Sequence, residues 1–143
     1  MPDIVHNFPI NASLPQVFAA ISQPHGLDSW WTKRSAGEPE QGTEYKLYFD
    51  PENDWRAIVS RCVPPTEFEL QVTSAHADWL GTRVGFVLQQ SNGVTQVRFH
   101  HSGWPEANDH YQVSCYCWAT YLRLLRQYVE TGNAVPYEKR LDA

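Results

Sequence analysis

The feature that most constrains this chain lies in its last third. Tyr111, Cys115, Trp118, Leu122, Leu125 and Val129 recur at spacings of 4, 3, 4, 3 and 4, and Gln112, Tyr116, Arg123, Gln127 and Glu130 fall on the opposite side. That pattern is one apolar stripe on a helix of 3.6 residues per turn. Gly132 stands where a helix-ending glycine belongs, and Pro136 follows as a stop. From about Asn108 to Thr131 the helix is roughly 36 Å long. An element that long with one dry face must lie across something equally broad.

The middle of the chain supplies it. In "EYKLYF", Tyr45, Leu47 and Phe49 alternate with Glu44, Lys46 and Tyr48. "WRAIVSRCV" is strand-like with apolar residues on both faces. Phe68, Leu70 and Val72 share one face of "EFELQV", and Val84, Phe86 and Leu88 one face of "RVGFVLQQ". "SNG" at Ser91–Gly93 is a hairpin turn leading into "VTQVRFHHS". Asp3–Ile10 reads as a first strand. Behind it Ser13 and Gln16 form a capping box, Pro15 suits a first turn, and Leu14, Val17, Phe18 and Ile21 line one face of a short helix. Pro24 and Gly26 break that helix, and Leu27–Thr32 forms a second helical turn. "KRSAGEPEQGT" reads as a loop. The expected fold is α+β: a curved antiparallel sheet of about six strands wrapped around the long helix, with two short helices after the first strand. That geometry tends to leave a cavity between sheet and helix.

A length of 143 residues suits a single domain over 1–143, and 42% apolar with 19% charged residues marks a globular chain. The formal charge of −5 has no basic stripe beside it, which argues against nucleic acid and anionic membranes as partners. No apolar run is long enough to span a bilayer. "MPDIVHNF" lacks the pattern of a signal peptide, so the cytoplasm is the expected compartment. The cysteines number three, Cys62, Cys115 and Cys117, so they cannot all pair in disulfides. Cys115 and Cys117 sit about 200° apart around a helix and cannot easily share a metal.

The order of motifs resembles a known superfamily. "NASLPQVFAAISQPHGLDSWWT" resembles the opening of START-like (SRPBCC, birch-pollen-allergen-like) domains, and "VPPTEFEL" their connection between two central strands. "HHSGW" followed by "CWATYLRLLRQYVETG" resembles the ending of the heat-shock-protein-90 ATPase-activator homology branch. The resemblance runs from about Ile4 to Gly132. It implies a helix-grip fold with a deep apolar cavity that binds hydrophobic molecules and, in a minority of members, hosts cyclisation, dehydration or hydrolysis. The co-chaperones that name the branch carry a further domain, for which this chain has no room.

Within that frame the candidate ligand contacts are Trp30, Tyr45, Leu47, Phe49, Phe68, Leu70, Phe86, His101, Trp104, Trp118 and Tyr121. Strand alternation sends His100 and His101 to opposite faces: Val97 and Phe99 set an inward phase that continues to His101, and His100 faces solvent. The pair therefore cannot chelate one ion, no metal site is expected, and no cofactor motif is present. His101 is a polar anchor, an acid–base residue or a core histidine. Trp30 and Trp31 stand at the expected cap of the cavity. Trp104, beside Gly103 and Pro105, is a lid or a packing residue. Arg61 faces inward unless a bulge hands that phase to Cys62. Glu67 and Glu69 are expected on the wet face. The reading is a module that binds a hydrophobic or aromatic small molecule, as a monomer or homodimer. The alternatives are an aromatase/cyclase- or hydrolase-type enzyme on the same cavity, or an interaction protein related to the chaperone activator.

Overall fold

The long helix and the meander determine how everything else is arranged. The computed structural model describes residues 2–142. The order is β1 (Ile4–Ile10), α1 (Leu14–Ser22), α2 (Pro24–Trp30), β2 (Arg34–Ala36), β3 (Glu44–Asp50), β4 (Asn53–Val63), β5 (Glu67–Ser74), β6 (Arg83–Ser91), β7 (Val94–Ser102), α3 (Asp109–Thr131) and a 3-10 segment, Tyr137–Asp142. One seven-stranded antiparallel sheet runs β1-β7-β6-β5-β4-β3-β2. Among the described residues, only the β1–β7 pairing joins distant parts of the chain, and it brings Ile4 opposite His101.

The seventh strand is a departure from expectation. Arg34–Ala36, expected within a loop, pairs with Tyr48–Lys46 at the sheet edge. Three residues are too few to show alternation, so composition alone reads them as loop. The second helix likewise begins at Pro24, because proline is at home in a first helical turn where its missing N–H has no partner. Gly26 is also required there, since a Cβ would stand 2.6 Å from the Ala20 backbone.

The capping box of Ser13 and Gln16 is in place at α1. At α3, Asn108 Oδ1 accepts the Tyr111 N–H at 2.9 Å, and Gly132 closes the helix at φ +80°. Trp118, Leu122 and Leu125 are buried beneath the sheet. Phe68, Leu70, Val72, Val84, Phe86, Leu88, Val97, Phe99 and His101 are buried on the facing side. At β4 the register shifts between Val59 and Arg61, so the bulge decides the phase: Arg61 points out to Glu67 at 2.9 Å, and Cys62 packs against the core.

Candidate functional site

The interior beneath the sheet is occupied by indoles. All six tryptophans form one continuous cluster. Ring centroids lie 6.0 Å apart for Trp30–Trp31, 5.3 Å for Trp31–Trp118, 5.8 Å for Trp118–Trp79, 4.8 Å for Trp79–Trp55 and 6.2 Å for Trp79–Trp104. Aromatic residues sum to 13% of the chain, and this cluster is where much of that bulk goes. Trp30, Tyr45, Leu47, Phe68, Leu70, Phe86, His101 and Trp104 are each no more than 4% exposed. Tyr45 donates to the Ser22 carbonyl at 2.5 Å and the Trp30 indole to the Ala20 carbonyl at 2.9 Å, so both polar tips are tied to α1. Trp104 is fully buried against Trp79, His101 and His110, which makes it a packing residue and not a lid.

His101 is the centre of a directional hydrogen-bond chain. The Trp118 indole N–H donates to His101 Nδ1 at 3.1 Å. Nδ1 must then be unprotonated, which places the ring proton on Nε2, 2.8 Å from Thr82 Oγ1. Thr82 donates in turn to the Trp79 carbonyl at 2.5 Å. Burial drives the His101 pKa down to about 3, with the nearby His100 and His110 adding to the effect. Both nitrogens of the neutral ring are therefore committed to structure.

On the outer face His100 is not simply solvated. Its Nε2 lies 2.9 Å from Glu69 Oε2, and Glu69 also receives Ser60 at 2.8 Å and Arg83 at 3.3 Å. The His100 hydrogen bond is the largest influence holding the Glu69 pKa down at about 2. The bridge passes over Gly85, which pairs with both residues from the strand between them.

Open space begins where the indole cluster meets the surface. A cleft of about 280 Å³ lies between the β3–β4 hairpin, the His76 loop, α3 and the 3-10 segment. Trp31, Phe49, Trp55, Trp79, Tyr121 and Tyr137 give it aromatic walls. A deeper recess of about 40 Å³ reaches Trp118. Of the sequence candidates, Phe49, Tyr121 and Trp118 border this space, and the other eight lie in the packed core. Burial pushes the Tyr121 hydroxyl up to about 12, so it stays a neutral donor. Among the described residues, buried Trp79 Nε1 has no hydrogen-bond partner. Arg140 fastens the 3-10 segment, donating to the carbonyls of Val135 at 2.9 Å, Thr32 at 3.0 Å and Asp28 at 2.6 Å.

At the rim, His76, Asp78 and His110 bring one potential ligand atom each within 4.8 Å of one another. His110 Nδ1 lies 2.9 Å from Asp78 Oδ2, and that hydrogen bond is the main cause of the lowered Asp78 pKa. Sequence reasoning missed this grouping, because Asp78 and His110 are 32 residues apart and follow no ligand spacing. Trp31 was expected at the cavity cap and does form part of the cleft wall, whereas Trp55, Trp79 and Tyr137 were not picked out, since the walls come from a hairpin, a loop and a terminal turn whose meeting is purely tertiary.

A curved sheet gripping a long C-terminal helix, with two short helices after the first strand, defines a START-like (SRPBCC) protein. Within that class the chain belongs to the Activator of Hsp90 ATPase homolog 1-like family, whose model matches residues 11–130. Its structure is similar to that of the Aha1 dimer from Colwellia psychrerythraea, with 29% identity, 92% of this chain and 98% of that chain covered, and a TM-score of 0.83. A Bacillus halodurans protein shares the fold at 23% identity, covering 91% of this chain and 98% of that one, with a TM-score of 0.77. CalU16 from Micromonospora echinospora shares it at 17% identity, covering 96% and 83%, with a TM-score of 0.74. No curated protein matches the chain in sequence. Among the described residues, no helix is long and apolar enough to cross a membrane.

Proposed function

We propose that this chain is a small-molecule-binding module whose ligand is an aromatic or apolar molecule of one or two rings, seated in the cleft between the β3–β4 hairpin and α3. The observation that carries this is the wall composition: Trp31, Phe49, Trp55, Trp79, Tyr121 and Tyr137 converge on one open space of about 280 Å³. That volume stands at the small end of ligand pockets. The family and fold are consistent with such a role. His101 is not a candidate acid–base group in this reading, since Thr82 and Trp118 occupy both ring nitrogens.

Native mass spectrometry of the purified chain, followed by thermal-shift screening against hydroxylated and carboxylated aromatic compounds, tests the reading. A stabilising compound whose effect is lost in Tyr121→Ala and Trp55→Ala supports it. A compound that stabilises wild type and both variants equally places the ligand elsewhere. The likeness to an Aha1 dimer favours a second reading, a chaperone-linked homodimer. Light scattering and a pull-down with an Hsp90 middle domain address its two halves.

A further inference from the structure

We propose that His76, Asp78 and His110 form a divalent transition-metal site at the rim of the aromatic cleft. The donor set is two imidazole nitrogens and one carboxylate oxygen, which suits zinc and its neighbours better than magnesium or calcium. A tetrahedral ion with bonds of about 2.0–2.1 Å holds its ligand atoms about 3.3–3.4 Å apart. The observed separations bracket that value: 2.9 Å from His110 Nδ1 to Asp78 Oδ2, and 3.9 Å from His76 Nδ1 to the same oxygen. Those two pairs need shifts of about half an ångström, and the two histidine nitrogens, within 4.8 Å of each other, close by up to about 1.5 Å. The imidazole rings already meet edge to face, with centroids 4.7 Å apart.

Part of the supporting shell of a metal site is in place. The Asn108 amide donates to Asp78 Oδ2 at 3.4 Å, so the residue that caps α3 also steadies the carboxylate. The Asp78 N–H donates to His76 Nδ1 at 3.2 Å, and the ion displaces this bond because it takes the same lone pair. Trp104 packs edge-on against His110 at 5.4 Å and holds that ring in place. Coordination through Nδ1 of a neutral His110 moves its proton to Nε2, and the ion takes the place of the hydrogen bond to Asp78. Three protein ligands leave a fourth position for water or for an anionic oxygen. His76 and His110 both line the cleft, so a carboxylate or phenolate there is the ligand class that could complete the sphere. That last step rests on the binding reading above; the metal site itself does not.

The test is a cobalt(II) titration of the untagged full chain, followed by visible d–d absorption, with zinc calorimetry in parallel. One equivalent is expected to bind with tetrahedral d–d bands and no intense near-ultraviolet thiolate band. The latter distinguishes the site from Cys117, which lines the same cleft. His76→Ala and His110→Ala should each weaken binding at least about tenfold. Nitrogen-15 imidazole signals of His76 and His110 in the wild-type protein should shift with zinc while those of His101 stay put, a readout that needs no variant. Failure to saturate, full binding in the double variant, or a thiolate band would overturn the site. Because no organic ligand is used, none of these results bears on whether the cleft binds one.

Discussion

Trp118 and His101 face each other across the core from helix and sheet, joined by a 3.1 Å hydrogen bond that fixes which imidazole nitrogen carries the proton. The bond connects α3 to β7 and continues through Thr82 to the Trp79 carbonyl. Trp118→Phe keeps an aromatic ring but leaves His101 Nδ1 buried and unpaired. The unpaired acceptor alone should cost about 1–3 kcal/mol, beyond the volume lost, as measured by urea denaturation.

Acid should destabilise the protein in a window set by His101. Its folded pKa, about 3, lies below the unfolded value near 6.5. Between those values the unfolded chain binds the extra proton, so this contribution is complete above about pH 6.5 and is lost as pH falls towards 3. The slope from one such group reaches about 1.4 kcal/mol per pH unit. Glu69 adds a second loss below its ordinary value of 4.5, since its folded pKa is about 2. His101→Gln should flatten the stability profile between pH 6.5 and 4.5 and reduce the slope below pH 4.5 to the part that Glu69 supplies. An unchanged profile would mean that another group sets the upper limb.

Gly85→Ala should break the outer-face bridge. A Cβ there would stand 2.5 Å from His100 Cε1 and 3.1 Å from Glu69 Cγ, so the imidazole must swing away. We expect a loss of about 1–2 kcal/mol and a Glu69 pKa that rises from about 2 back towards 4.5, read by carboxyl carbon-13 titration.

Arg140→Met retains an aliphatic stem and removes three hydrogen bonds to backbone carbonyls. Charge-assisted bonds of this kind are each worth about 1.5–3 kcal/mol when deleted from a buried site. The 3-10 segment and its Tyr137 should detach from the cleft, seen as faster proteolysis after Gly132 and amide exchange confined to the C-terminal residues. Global unfolding behaviour should change less than for Trp118→Phe.

The fold was legible because its largest elements repeat their periods long enough to be counted. The stripe from Tyr111 to Val129 and the alternation through Phe68, Leu70 and Val72 leave little freedom of arrangement. Arg34–Ala36 was not legible, because three residues at a sheet edge gain their order from β3 and not from their own pattern. The site was legible only in part. Alternation placed His101 inward correctly, but an inward side chain can be packed solid or border a cleft, and volume decides between them. Eight of the eleven candidates went to the packed core once six indoles filled the interior. The cleft instead forms where a hairpin, the His76 loop and the terminal turn meet, and no local pattern encodes that meeting.

The unbroken run of tryptophans has an optical consequence. With neighbouring rings 4.8–6.2 Å apart, light absorbed by any indole can migrate along the cluster before it is emitted. Trp55, the least buried of the six, sits at the open end of that run. Emission collected there would respond to whatever enters the cleft, so the protein carries a built-in reporter of occupancy that needs no label.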